Sequence, residues 1–381
     1  MSDRGFALIT KGMLSTGMRR ASGAVSELGL IEQIRQQFAR KRSRALELGI
    51  GDDCAILRPR SGWDVVVTTD LLLEGRHFRR DLHAPESAGH RCLARGLSDI
   101  AAMGADPIAA FLSLGLPRKS MKSAAERRWL ARFLDGIRWL ADGSGVMLAG
   151  GDTGEVLGDN LVADIVLVGQ APRGAALRRS GASAGDAIYV TGALGGAAAE
   201  LEAMLAGKGR RLKQEVASHS PGDPRSHSQS PFQSHPQSYP EPRLQVGAAL
   251  RRRPGVTACL DLSDGLSTDL WHLCQASGVG AEIWKAELPV HMLAAGLSSR
   301  FGEDRALTAA LHGGEDYELL FTAKPETRLP KRIAGIAVTR IGVTLPRSKG
   351  GCSMTLVSAD GGRAVLRPDG WEHFREHRRS P

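Results

Sequence analysis

The 381-residue chain carries 50 Lys and Arg against 41 Asp and Glu, a net charge of +9, and is 42% apolar and 24% charged. That balance excludes a wholly disordered or collagen-like chain, and the length points to two domains of roughly 100–200 residues, each able to bury a core. The five cysteines form no CxxC pair, the apolar stretches break at Asp106, Asp164 or glycine short of a membrane span, and the patch at 6–9 is too short for a secretory signal. The expectation is a cytoplasmic protein with no structural zinc, no disulfide framework and no membrane partner.

Residues 1–25 lack sustained periodicity and read as a flexible N-terminal extension. From Ser26 onward, Leu28, Ile31, Ile34 and Phe38 recur at helical spacing. Residues 46–57 and 64–73 read as strands, the second around Val65-Val66-Val67-Thr68-Thr69, a β-branched run that suits a buried strand. A helix over 87–104, a strand over 108–116 closed by Pro117, a helix over 124–141 and strands over 146–149 and 161–168 follow. Pro172 and the Arg-rich turn after it mark a domain junction, giving an N-terminal domain over 26–170 and a C-terminal domain over 171–381.

The second unit opens with a strand over 187–190 and a helix over 195–206. Residues 217–243, built from Ser, His, Pro and Gln, lack the apolar content to order themselves. They read as a disordered insertion whose His219, His227 and His235 are solvated rather than metal ligands. A strand over 257–262, a helix over 266–277 and a strand over 317–322 follow. Strands alternating with helices predict two α/β (α+β) domains. The basic clusters sit at element ends and in tails with few aromatic residues among them, so no nucleic-acid partner is expected.

The acids are more informative. Asp52 and Asp53 close Gly49-Ile50-Gly51 in a strand region, Asp70 ends the β-branched run, and Asp99 lies in a helix. Asp152 follows Gly150-Gly151, Asp261 and Asp264 frame Ser263, and Glu315-Asp316 follow Gly313-Gly314. Such placement at element ends is how α/β proteins build sites. Converging acids repel one another and raise each other's pKa unless cations neutralise them. Mg²⁺ is a hard cation that shares its shell between carboxylates, water and phosphate, so acids beside Thr, Ser and Gly suggest a polyphosphate held through Mg²⁺. Taken singly, Asp52, Asp186, Asp261 or Asp269 reads as a turn residue or helix cap rather than a catalytic group.

Competing motifs fail. GxxxxGK[ST], H-R-D and D-F-G are absent, and Gly49-x-Gly51 lacks the third glycine of a dinucleotide fingerprint. Gly181-Ala182-Ser183-Ala184-Gly185 matches GxSxG but precedes a strand, whereas a nucleophile elbow joins strand to helix.

The ordered motifs carry a resemblance. Glu47-Leu48-Gly49-Ile50-Gly51-Asp52-Asp53-Cys54-Ala55, Thr68-Thr69-Asp70, Gly75-x-His77-Phe78 and Leu97-Ser98-Asp99-Ile100-Ala101-Ala102-Met103-Gly104-Ala105-Asp106-Pro107 come first. Gly150-Gly151-Asp152-Thr153, Arg179-Ser180-Gly181, Asp261-Leu262-Ser263-Asp264-Gly265-Leu266, Gly313-Gly314-Glu315-Asp316-Tyr317-Glu318-Leu319 and Gly370-Trp371-x-His373-Phe374 continue the series. The chain resembles the thiamine-monophosphate kinases, of the ATP-binding superfamily related to aminoimidazole ribonucleotide synthetase.

The resemblance implies transfer of the ATP γ-phosphoryl group to thiamine monophosphate, the last step of thiamine diphosphate synthesis, on two α/β domains. The N-terminal domain, with a mixed sheet, would bind ATP and Mg²⁺ and pair into a homodimer. Asp53, Thr68, Thr69, Asp70, Asp99, Asp152, Asp261 and Asp264 would hold several Mg²⁺ ions. Gly151, Asp152, Arg179 and Ser263 would contact ATP, while His77, Glu315 and Trp371 would contact thiamine monophosphate. Asp152, Asp264 and Arg179 would stand at the catalytic centre. A selenophosphate synthetase would be expected to carry a reactive Cys near its N-terminus, and no Cys precedes Cys54. A nucleic-acid-binding protein on a degenerate kinase fold is disfavoured by the acids, which would repel a phosphate backbone.

Overall fold

The computed structural model describes residues 27–38, 44–208, 235–301 and 303–371. The expected N-terminal extension and residues 217–234 of the expected insertion lie outside them. Helix α1 (Glu27–Phe38) is followed by a two-stranded ribbon, β1 (Leu46–Leu48) and β2 (Ile56–Leu57). Then come β3 (Trp63–Leu73), α2 (Pro85–Ala102), β4 (Asp106–Pro117), α3 (Lys119–Lys122), α4 (Ala124–Ser144), β5 (Met147–Val156) and β6 (Val162–Pro172). They build a four-stranded mixed sheet in the order β3-β6-β4-β5, with β4 and β5 parallel.

Helices α2 and α4 cover one face of this sheet. Leu72, Ile165 and Leu167 of the strands meet Leu93, Leu97, Phe133 and Leu134 of the helices in one dry core. The two helices touch backbone to backbone: a Cβ on Gly89 would lie 1.8 Å from the Phe133 carbonyl oxygen, and one on Gly136 would lie 2.0 Å from that of Glu86. Ser123 caps α4 by accepting from the Ala125 N–H, and Gly145 ends it in the left-handed conformation.

Two expectations for this half need correction. The strand over 46–57 is two short strands around a loop, because Gly49, Gly51, Asp52 and Asp53 favour a turn, and both acids are exposed. The Val65 run is not buried on both sides. β3 is an edge strand with one covered face, so Leu72 is fully buried while Val65, Val67 and Leu71 are about half exposed or more.

The C-terminal half contains β7 (Ala187–Thr191), α5 (Gly196–Ala203), α6 (Leu244–Arg251), β8 (Val256–Asp261), α7 (Leu266–Ser277) and β9 (Val279–Trp284). After them come α8 (Met292–Phe301), α9 (Glu303–His312), β10 (Leu319–Ala323), β11 (Arg332–Ile333), β12 (Ile336–Pro346), β13 (Met354–Val357) and β14 (Arg363–Val365). The sheet runs β14-β13-β9-β12-β7-β10-β8, with β11 paired to β12, and only β13 and β9 are parallel in it. A shared cluster joins the halves: Ala101 and Ala102 at the end of α2 pack with Val246, Leu250 and Phe321.

The insertion is shorter than expected at its C-terminal end. Residues 235–243 are ordered, with Gln237, Ser238 and Tyr239 buried. Polar contacts order the segment: Glu200 of α5 accepts from Ser238 Oγ (2.6 Å), and Ser87 of α2 donates to the Ser238 carbonyl (2.8 Å). His235 is not solvated either, with its Nδ1 3.4 Å from Glu200. Among the described residues no helix is long and apolar enough to cross a membrane.

Candidate active site

One wall of the site comes from β3 and α2. Alternation along β3 turns Thr68 and Asp70 toward the helix. Arg91, Arg95 and Asp99 are four residues apart on α2 and so form one stripe facing them. Arg95 grips Asp70 Oδ1 through Nε (2.9 Å) and Nη2 (2.8 Å), and Thr68 donates its hydroxyl to Asp99.

The other wall is a pair of loops zipped together. β8 ends at Asp261, and the turn into α7 is held by Asp269, whose Oδ2 accepts from the Asp264 and Gly265 N–H groups at 3.0 Å each. Glu315 N–H donates to the Ser263 carbonyl (2.8 Å), Tyr317 N–H to that of Leu262 (2.9 Å), and Trp371 N–H to that of Asp264 (2.9 Å). Ser98 joins the walls by donating to Asp261 Oδ2 at 2.6 Å.

Between the walls lies a cavity of about 450 Å³. Of the residues expected from sequence, Thr69, Asp70, His77, Asp99, Asp261, Ser263, Asp264, Glu315 and Trp371 line it. Thr68 is tied to it through Asp99, and the exposed Arg179 lies near enough to lower the Asp99 pKa by its charge. Asp53, Gly151 and Asp152 stand outside the lining. Asp53 is on the exposed loop between β1 and β2, its N–H bonded to Asp52 (2.8 Å). Asp152 pairs across strands with Ser113, which pairs with Asp164, and Thr69 Oγ1 donates to Asp164 on the sheet's open face. Asp152 therefore shares that open face and is exposed. Gly151 beside it has φ +148° and lies so close to the Leu112 carbonyl that a Cβ would clash.

The cavity acids behave differently from one another. Burial raises the Asp70 carboxyl, with Arg95 opposing it. Burial and the Asp70 charge raise Asp99, against the Thr68 hydrogen bond and the charge of Arg95. Burial, then the charge of Asp99, pushes Asp261 up to about 7. Burial also acts upward on Glu315, but Arg91, helped by Arg95 and His77, more than reverses it and leaves that carboxyl below its usual range.

Among the described residues no group of three or more His, Cys, Asp or Glu side chains is gathered to hold a metal ion by itself. The donor set is nonetheless suited to a hard divalent cation. The Asp70 charge raises Asp99, and both raise Asp261, a repulsion that a cation relieves, and oxygens from a phosphate ligand and water can fill the remaining positions.

Sequence reasoning missed Arg91, Arg95 and Tyr317; the four-residue spacing of 91, 95 and 99 was the available signal. Arg95 Nη1 donates to the Tyr317 hydroxyl at 3.3 Å. It also missed Gln237, whose Nε2 donates to Glu315 Oε2 at 2.8 Å.

Residues 51–171 match the family model "AIR synthase related protein, N-terminal domain". A curated thiamine-monophosphate kinase of Escherichia coli (strain K12) is 37% identical over 352 residues, which are 91% of this chain and 98% of that protein. One from Bacillus subtilis (strain 168) is 31% identical over 358 residues, 92% of this chain and 100% of its own. The solved thiamine-monophosphate kinase from Stenotrophomonas maltophilia K279a matches with TM-score 0.66 and 35% identity, over 90% of this chain and 98% of its own. A structure described as "AaThiL complexed with AMPPCP and TMP" matches with TM-score 0.65 and 29% identity, over 94% of this chain and all of its own. The hydrogenase maturation protein HypE in complex with ATP, 18% identical with TM-score 0.68 over 92% of this chain and 96% of its own, shares the fold. With its acid-lined cavity set between two α/β halves, and relatives matched over nearly their full lengths, this chain belongs to the thiamine-monophosphate kinase family.

Proposed function

We propose that the protein transfers the γ-phosphoryl group of ATP to thiamine monophosphate, giving thiamine diphosphate and ADP. The observation that carries the reading is the meeting of Asp70 and Asp99 with Asp261 and Asp264 across one cavity. The matched structure described with AMPPCP and TMP supports the choice of ligands. Thiamine's thiazolium ring is a permanent cation, and the half-exposed Trp371 offers it an aromatic face, a contact worth roughly 0.5–2 kcal/mol. Glu315 and His77 line the same cavity and complete the acceptor side.

Phosphoryl transfer asks the protein for positioning and charge neutralisation more than for covalent chemistry. An oxygen of the acceptor phosphate attacks the γ-phosphorus while the bond to the β–γ bridging oxygen breaks, and ADP leaves with those electrons. Mg²⁺, when bound, neutralises the phosphate oxygens as charge moves between them. Asp70, Asp99, Asp261 and Asp264 are the proposed ligands at the cavity and Ser263 the proposed ATP contact there; Thr68 and Arg179 are proposed beside it, tied to it through Asp99, and Thr69, whose hydroxyl donates to Asp164, is proposed on its motif. Asp53, Gly151 and Asp152 are proposed on their motifs alone, because they stand outside the lining. Catalysis is assigned to Asp264 and Arg179 first and to Asp152 second.

The exposed Val65, Val67 and Leu71 form an apolar strip along β3, which supports the pairing of N-terminal domains in a homodimer. The proposed setting is the cytoplasm, where ATP is supplied, with the two small molecules as partners and neither nucleic acid nor membrane. The test is incubation with ATP, Mg²⁺ and thiamine monophosphate followed by chromatography. Thiamine diphosphate is the expected product, and its absence at any enzyme concentration sinks the reading.

A further inference from the structure

Arg91 is fully buried and acts as a hub. Its Nη2 donates to Glu315 Oε1 (2.6 Å) and to the His77 carbonyl (2.7 Å), and its Nη1 donates to the Gln237 carbonyl. Gln237 closes the ring from the other side, donating its amide to Glu315 Oε2 at 2.8 Å. Both oxygens of the one acid on the acceptor side are thus engaged, one by α2 and one by the segment before α6.

The amide is itself aimed. The Glu315 carboxylate can only accept, so the amide presents Nε2 to it and Oε1 to the His83 ring, whose Nε2 lies 3.0 Å away and carries the proton for that bond. His83 Nδ1 sits 3.1 Å from both the Arg79 N–H and the Arg79 carbonyl oxygen, which holds the ring in place. Burial holds His83 below its usual pKa, which keeps the ring neutral and this arrangement intact near pH 7. The Gln237 N–H is anchored in turn on Glu200 Oε2 (2.7 Å). Glu315 has φ +66°, a left-handed conformation uncommon outside glycine, so its backbone placement also needs support from its surroundings.

We propose that Gln237 is a positioning residue for the acceptor end of the cavity, holding the Glu315 carboxylate in the orientation that meets thiamine monophosphate. The inference rests on the kinase reading and adds to it a residue from the Ser-His-Pro-Gln segment. Gln237 touches neither substrate; it acts through Glu315. A merely structural role would lower stability without telling the two substrates apart.

The experiment compares Gln237→Met, which keeps length and loses the amide, with Ser238→Ala, which loosens the same segment at Glu200 without touching Glu315. KM for thiamine monophosphate, KM for ATP, kcat and thermal midpoint are measured on each. Loss of a hydrogen bond to a charged group predicts a rise of about tenfold in the thiamine monophosphate KM of Gln237→Met, with the ATP KM within about twofold of wild type. Ser238→Ala should lose thermal stability and keep both KM values. If Gln237→Met does not fold, Gln237→Asn, whose amide falls one methylene short of Glu315, gives the same readout. An unchanged thiamine monophosphate KM, an equal change in both KM values, or the same shift in Ser238→Ala overturns the inference while the kinase reading stands. Wild-type protein that makes no thiamine diphosphate overturns the reading, and this inference with it.

Discussion

The two ends of the cavity treat the same functional group in opposite ways. Asp261 and Glu315 are both half-buried in the cavity wall, yet Asp261 is pushed up to about 7 while Glu315 is held below its usual range. Burial acts in the same direction on each, so the difference lies in the neighbours. Glu315 receives the Arg91 guanidinium and the Gln237 amide. Asp261 receives one serine hydroxyl and faces the charge of Asp99. One end is electrostatically complete as folded, and the other is left in deficit for positive charge. A site that must hold a charged ring at one end and metal-bound phosphates at the other is served by that division.

The contrast breaks most severely at Arg91. Arg91→Met leaves Glu315 without its buried partner and should cost about 3–5 kcal/mol in stability, read by denaturant unfolding. A loss below about 1 kcal/mol would mean that Gln237 and Arg95 suffice. At the deficient end, Asp264→Asn should lower turnover by about 100-fold or more with an unaltered circular dichroism spectrum. Asp152→Asn, measured beside it, sharpens the assignment. An equal loss would bring the open face of the first sheet into the reaction, and near-normal turnover would confine the reaction to the cavity.

A smaller effect follows from pH. Asp261 and the half-buried Asp316 both sit at about 7 in the folded protein, against an ordinary 3.8. The folded state therefore keeps protons that the unfolded chain releases. Their contribution to stability is full below about pH 4 and is lost as pH rises through about 7. These two acids should pull the thermal midpoint of the ligand-free protein down across that window, against the opposite slope from His83 and His90, whose pKa values burial lowers. Asp316→Asn, which cannot titrate and keeps one of the two oxygens that accept from the Gly195 and Ala197 N–H groups, should remove its share of that fall. An Asp316→Asn profile parallel to that of wild type would contradict the Asp316 shift. The smallest change is expected at Trp371, where alanine should raise the KM for thiamine monophosphate several-fold and leave that for ATP alone. Equal effects on both substrates would remove Trp371 from the acceptor side.

Much of this was legible in the residues. The helix over 266–277 coincides with α7, and the α2 and α4 patterns lie within a few residues of their observed ends, because one apolar stripe on each meets a single core. The places of Asp70, Asp261 and Asp264 at element ends suggested a site, but spacing alone did not show convergence, and the grouping of these three with Asp99 came from the family resemblance. What escaped was set by tertiary context. The Val65 run looks alike whether a strand is covered on one face or two, and only the sheet order reveals β3 as an edge. Residues 235–243 have the composition of a linker, and their order comes from partners far away in sequence, Glu200 and the α2 side chains. Asp152 carries the same Gly-Gly-Asp signature wherever its strand happens to point.

The ring of Arg91, Gln237 and Glu315 has a consequence for the order in which the molecule matures. Its members are separated along the chain by 146, 78 and 224 positions. Contacts so distant carry a heavy loop-closure cost and form after local structure has paid for little of it. A nascent chain can complete the first sheet and its two helices well before residue 315 emerges, but the acceptor end has no shape until the last third of the polypeptide has been made and has docked.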